Sequence, residues 1–241
     1  MKFPNILTLI LTLFRRPAPQ PEPVAETAAL ATDVMVDLET FGTQASACIP
    51  SIGAVGFDQN GMVPYAKFYI TGIDIQTCLD AGLTIDGETQ YWWMKQSEEA
   101  RKEISRRPIV EFNEHGELIL EELPRPTLQE ALEEFAHFID TQTVGRKHVR
   151  IWGNGSDFDN VILANAYRAM GMETPWEFWN NRCYRTLKNQ YRHITLERTG
   201  THHSAYDDAH SQAEHCIRLL AEHEHGLKLL KQEQQDLEDV A

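Results

Sequence analysis

No run of apolar residues in this 241-residue chain is long enough to cross a bilayer. The longest candidate, residues 6–14, follows Lys2 and stops at Arg15 and Arg16, where an export signal would need a small-residue cleavage site. It reads as a frayed terminus, with a weak interfacial anchor or a docking peptide as alternatives, and stable membrane insertion is not expected. Cysteine is scarce as well. Cys48, Cys78, Cys183 and Cys216 stand far apart with no C-x-x-C spacing, which argues against a disulfide framework and a thiolate zinc site and for a reducing, cytoplasmic setting. Excess basic charge is also lacking: the net charge is -14, whereas phosphate binding usually leaves a basic footprint. Carboxylates that hold cations reverse the local sign, so the distribution of charge matters more than its total.

What is present is a soluble, globular composition, 42% hydrophobic and 24% charged, long enough for one large domain with additions. Residues 17–23 alternate proline with other residues and form a semi-rigid spacer. Three parts are therefore expected: an apolar segment with a Pro-rich linker over 1–31, a folded domain over 32–222 and a charged tail over 223–241.

The domain is organised around Asp33-Val-Met-Val-Asp37-Leu-Glu39-Thr40. Val34, Met35 and Val36 read as a buried strand, and side chains at i and i+2 share a face, so Asp37 and Glu39 project together from its end. Adjacent carboxylates repel each other unless a cation lies between them, and hard oxygen ligands favour Mg²⁺ or Mn²⁺. On its own D-x-E is more often a solvated strand end, so partners elsewhere must carry the reading.

Further strands are predicted over 49–57 and 65–70 with a turn at 58–61, giving an antiparallel meander. A helix follows from Asp86 or Gly87 to Ser105, then one over 127–139 opened by a Thr127–Glu130 capping box. A strand over 147–152, a helix over 159–170 and a final helix over 204–222 complete an α/β domain with a mixed sheet covered by helices.

Two segments supply partners for the first acids. In Trp152-Gly-Asn-Gly-Ser-Asp-Phe-Asp-Asn160 a strand gives way to a helix, and Asp157 and Asp159 compete for a place at the sheet's carboxyl edge. In residues 201–216, Ala205, Ala209 and Ala213 form a small-residue stripe that lets a helix approach a sheet and brings Asp208 to that edge. His203 precedes this helix, with a pKa suited to taking a proton near neutrality. The cluster of His202, His203, His210 and His215 also admits zinc, although without paired cysteines at finger spacing. Between residues 182 and 203 the basic side chains Arg182, Arg185, Lys188, Arg192 and Arg198 face one acid, Glu197; this is either a phosphate-contacting stretch or a solvated surface.

Taken together, Asp37-x-Glu39, Phe158-Asp159 and His203-x-Ala205-x-x-Asp208-Ala209 form an ordered set. It resembles the DEDDh group of 3′-5′ exonucleases, and within it exonuclease VIII and related phage exonucleases with the exoribonuclease-like domain. Met35-Val-Asp-Leu-Glu-Thr-Phe-Gly42, Ser51-Ile-Gly-Ala-Val55, the phrase from Tyr91 to Arg101, Trp152-Gly-Asn-Gly155 and Arg185-Thr-Leu187 are shared, over roughly residues 32–220.

The resemblance implies an RNase H-like mixed β-sheet flanked by helices. Asp37, Glu39, Asp159 and Asp208 would ligate two divalent ions, with His203 as general base. Leu38, Thr40, Phe41, Asn154 and Arg185 would contact the substrate, a single-stranded 3′ end of DNA or RNA. It also carries the expectation of a homodimer. The spacing of His202 with Asp207 equals that of His203 with Asp208, but only the second register keeps the alanines in place. Asp157 departs from the pattern. Trp92 and Trp93 are candidates for base stacking, although one of two adjacent helical tryptophans is usually buried. The rival readings are a non-catalytic nucleic-acid-binding or scaffold protein, a zinc protein and an RNase H-like endonuclease.

Overall fold

The structure is a computed structural model describing residues 29–106, 109–111, 120–122 and 124–240. The apolar segment and the Pro-rich spacer lie outside the described residues.

The strand β1 (Asp33–Glu39) is the middle of a five-stranded sheet. β2 (Ser51–Asp58) and β3 (Gly61–Thr71) follow it as the expected antiparallel meander, with β3 starting earlier than the alternation suggested. Asp58 closes the turn by accepting from the N–H groups of Asn60 (2.7 Å) and Gly61 (3.1 Å). Helices α1 (Ile75–Asp80), α2 (Gly87–Met94) and α3 (Glu98–Ser105) come next, then a separate hairpin of β4 (Ile109–Glu111) and β5 (Leu120–Glu122). Helix α4 (Leu128–Gln142) opens on the predicted capping box, with Thr127 and Glu130 each satisfying the other's backbone N–H. β6 (Arg150–Gly153), α5 (Asp159–Ala169), a 3₁₀ turn over Phe178–Asn180, β7 (Asn181–Cys183), α6 (Tyr184–Gln190) and α7 (Ala205–Val240) complete the chain. The strand order is β3-β2-β1-β6-β7, with β6 parallel to β1 and β7 parallel to β6, so the sheet is mixed as expected.

The strand period of two divides the core. Val34, Val36 and Leu38 point to the face covered by α4 and α5, whereas Met35 points to the face covered by α6 and α7. Asp37 and Glu39 follow Met35 and so emerge on the α7 side. Asp33 also shares this parity but is structural. At 1% exposure its carboxylate takes hydrogen bonds from Thr32, Trp152 Nε1 (2.7 Å) and the Arg150 guanidinium.

Two predicted elements differ. The helix expected from 86 or 87 to 105 is two, because Ser97 takes an extended conformation and its side chain accepts from Ala100 N–H, capping a new start at Glu98. The charged tail is not separate from the last helix, since α7 runs on to Val240. Its glutamates, lysines, glutamines and leucines are good helix formers, and Lys228 pairs with Glu224 one turn away at 3.5 Å.

Candidate functional site

The parallel pairing of β1 with β6 ends where Met35 meets Trp152, so the last turns of β1's pleat extend beyond their neighbour. The Leu38 N–H donates instead to Asp159 Oδ1 at 3.3 Å. Gly153 makes this possible, because a β-carbon there would stand 2.3 Å from Asn160 Oδ1 and 3.0 Å from Asp159 Cβ. Asp159 is therefore drawn into the gap at the end of β6 and is 3% exposed. Asp157, its competitor in the sequence, is exposed and does not line the cavity.

On the other side, the alanine stripe of α7 lies flat on the sheet. Ala205, Ala209 and Ala213 are wholly buried, and Gly53, the strand partner of Asp37, faces the Ala205 backbone. This close approach delivers Asp208 to the first pair. Asp37, Glu39 and Asp208 each present an oxygen within 4.8 Å of the others. Asp159 joins them in lining a cavity of about 210 Å³, together with Asn154, Arg185, Arg198, His202, His203 and Gln212.

The electrostatics follow from the crowding. Burial, then the charges of Asp159, Glu39 and Asp208, push Asp37 well above the ordinary carboxylate range. Burial, followed by Asp208, Glu103 and Asp159, raises Glu39 to about 8. Burial raises Asp159 to about 7 against the opposing hydrogen bonds of backbone N–H groups. Asp37, Glu39 and Asp159 are thus each disposed to hold a proton unless a cation offsets the crowding. Such a set of oxygens suits hard divalent ions of the Mg²⁺ and Mn²⁺ kind.

His203 stands at φ +64°, a left-handed conformation rare outside glycine, and its N–H donates to Asp208 Oδ2 at 3.1 Å. Burial, then His202, lower its pKa, so its ring is held neutral and able to accept a proton. The His202 ring lies with its centroid 3.9 Å away, tilted by 49°, and lines the same cavity. Asp207 faces elsewhere, its Oδ2 accepting from Thr201 N–H at 2.7 Å. The acid of the second register is thus the one in the cavity, while both histidines reach it. His202, His203 and Asp208 also present ligand atoms within 4.8 Å of one another.

A larger cavity of about 650 Å³ adjoins the acids and shares Leu38, Glu39 and Phe158 with them. Its wall includes Thr40, Tyr91, Trp92 and Trp93. Trp93 is the buried member of the pair, donating from Nε1 to the Thr40 carbonyl at 2.9 Å; Trp92 is 43% exposed, its ring 5.0 Å from that of His203. Phe41 does not line either cavity. β1 has ended, and its ring packs against the core.

The basic stretch is only partly directed here. Arg198 forms an ion pair with Asp208, and Arg185 donates to the Asn154 carbonyl, both beside the acids. Lys188 Nζ donates to Asn154 Oδ1 at 3.2 Å, whereas Arg182 and Arg192 fold onto nearby carbonyls. Sequence reasoning missed Gln212, whose Nε2 donates to Asp37 Oδ1 at 2.7 Å. Its position one helical turn after Asp208 was the available signal.

Residues 32–220 match the family model of the 3′-5′ exoribonuclease Rv2179c-like domain. The chain belongs to this family. The exoribonuclease-like domain spans the whole sheet and every group that lines the acidic cavity. Similar solved structures include cell-death related nuclease 4 (CRN-4), 12% identical with a TM-score of 0.45, where the match covers 78% of this chain and 63% of that one. E. coli Exonuclease I in complex with a dT13 oligonucleotide is 15% identical with a TM-score of 0.45, over 86% and 42% of the two chains. S. pombe Pop2p in its Mg²⁺ and Mn²⁺ bound form is 15% identical with a TM-score of 0.41, over 89% and 86%. The chain thus spans less than two thirds of the first two. No curated protein matches the sequence. Among the described residues no helix is long and apolar enough to cross a membrane.

Proposed function

We propose that this exoribonuclease-like domain is a metal-dependent 3′-5′ exonuclease that hydrolyses the terminal phosphodiester of a single strand and releases 5′-mononucleotides. The observation that carries the reading is the meeting of Asp37, Glu39, Asp159 and Asp208, from three separate elements, in one cavity beside His203. In this reading the four carboxylates hold two Mg²⁺ or Mn²⁺ ions. When bound, such ions make a water more acidic and stabilise the charge on the departing 3′ oxygen.

The chain's own groups do the rest. His203, neutral at working pH, accepts the proton of the attacking water. Arg185 and Arg198 flank the acids, Arg198 paired with Asp208, and their guanidinium groups would meet the phosphate. Asn154 lines the same wall. The terminal nucleoside enters the 650 Å³ cavity, where Leu38 and Thr40 border the sugar and Trp92 offers a ring for sequence-tolerant stacking. All these groups come from one chain, so a homodimer is not required for chemistry. The phrases around the acids favour a likeness to exonuclease VIII and phage exonucleases, and the family's description makes RNA the first substrate to offer.

The test uses purified protein with Mg²⁺ or Mn²⁺ on 5′-labelled single-stranded RNA and DNA, with a circular strand as control. A ladder shortening from the 3′ end, absent in Asp37→Ala and on the circle, is expected. His203→Ala should cripple turnover while metal binding persists, and an equal loss from His202→Ala alone would reassign the base. A zinc reading also has an observation behind it, the grouping of His202, His203 and Asp208. Zinc retained after chelation, without cleavage, would favour it.

A further inference from the structure

We propose that Gln212 is a further member of the cation site, orienting Asp37 with one end of its amide and accepting from cation-bound water with the other. The inference rests on the reading of the acids as metal ligands and adds a residue that the acidic motifs do not contain.

Gln212 lies four residues after Asp208, on the same face of α7. Ala209 and Ala213 beside it are wholly buried and let the helix sit close to β1, so the long Gln212 side chain is pressed against the strand end at 2% exposure. Its two ends have unequal fates. Nε2 donates to Asp37 Oδ1 at 2.7 Å, and a cation-bound, ionised Asp37, being only an acceptor, would require that end of the amide. Oε1 is buried and has no hydrogen-bond partner among the described residues, yet the side chain lines the acidic cavity.

A buried amide oxygen left without a partner costs about 1–3 kcal/mol. At a helix–sheet contact made of alanines, an apolar side chain would avoid that cost. Asn160 Oδ1, the other such atom among the described residues, belongs to a side chain outside the lining of the acidic cavity. The Gln212 oxygen therefore has the chemistry of an acceptor awaiting a donor, on a side chain that lines the acidic cavity. Mg²⁺ and Mn²⁺ keep several waters when bound by a few carboxylates, and those waters need acceptors. Polar groups just outside the ligands contribute about 10–100-fold in metal affinity. The donor end acts on the same site by fixing the carboxylate plane of Asp37.

The full chain is titrated with Mn²⁺, following free Mn²⁺ by electron paramagnetic resonance, as wild type and as Gln212→Met. We expect binding weakened about 10–100-fold in the variant, with the metal-free melting temperature nearly unchanged. A Gln212 that serves packing alone would reverse this pattern, lowering the melting temperature while leaving Mn²⁺ affinity intact, and would overturn the proposal. Should Gln212→Met fail to fold, the side-chain ¹⁵N–¹H signals of Gln212 in the wild type carry the test. A shift that saturates with Mg²⁺ supports the role, and an unmoved signal refutes it. Absence of Mn²⁺ binding by the wild type would bring down the metal reading itself, and this proposal with it.

Discussion

Gly53 and Ala205 face each other across the sheet–helix boundary with no room for a side chain between them. A β-carbon on Gly53 would stand 2.2 Å from the Ala205 carbonyl carbon and 2.3 Å from its oxygen. Gly53 is also the strand partner of Asp37, and Ala205 opens the helix that carries Asp208. The distance between strand and helix thus sets the distance between two of the acids.

Gly53→Ala must lift the start of α7 from β2. Overpacking of this kind costs about 1–3 kcal/mol. Urea denaturation should show that loss, and a Mn²⁺ titration should show weaker binding because Asp208 moves with its helix. Native stability with native affinity would mean that the helix start is free to adjust.

Glu39 has a pKa near 8 in the folded, metal-free protein against an ordinary value of 4.5. A raised carboxylate keeps its proton in the folded state where the unfolded chain has lost it, so its contribution to stability is lost as pH rises from about 4.5 to 8. His203 and His215, whose pKa values are lowered, move in the opposite sense, which makes the difference between variants the useful quantity. In metal-free samples the stability of Glu39→Gln relative to wild type should grow with pH across that window. Melting curves at stepped pH in chelator check it; a difference flat in pH would refute the raised Glu39.

Asp33 and Asp37 lie on one strand, yet opposite effects are expected from them. Asp33→Ala leaves Arg150 and Trp152 Nε1 without their carboxylate and should cost about 2–3 kcal/mol, with Mn²⁺ binding kept once the protein is folded. Asp37→Ala relieves repulsion among buried acids, so the metal-free protein should melt no lower while Mn²⁺ binding is lost. Thermal melts paired with Mn²⁺ titrations distinguish the two.

Trp92→Ala should raise KM far more than it lowers kcat. Stacking on an exposed ring contributes about 1–3 kcal/mol per base, equivalent to roughly 5–150-fold. Trp93→Ala should instead lower the melting temperature, because that ring is buried and holds the Thr40 carbonyl. Steady-state kinetics on short oligonucleotides, together with melts, would expose a reversal of these roles.

Much of the fold could be read from periodicity. The alternation through β1, the capping box at Thr127 and the alanine stripe of α7 each answer to a local rule, and each stands in the structure as expected. Weak local signals hid the rest. α1 has six residues and β7 three, too few to show a period, and both are held by neighbours distant in sequence. Ser97 could have been seen as a cap, but the helix-forming residues on both sides masked it.

Sequence alone determined that carboxylates at 37 and 39 share a face, that acids stand at two later junctions and that small residues bring the last helix close. These follow from strand parity and side-chain size, which need no partner. Only the tertiary structure shows that Asp159 and Asp208 line one cavity while Asp157 and Asp207 do not. Asp207 and Asp208 are neighbours on α7 and point about 100° apart, and Asp157 lies in the turn before α5, so what each one meets depends on how turn and helix are set against the sheet. The same packing brought Gln212 and Arg198 to the acids and turned Phe41 away, because contacts between residues far apart in the chain arise only when the helix–sheet interface closes.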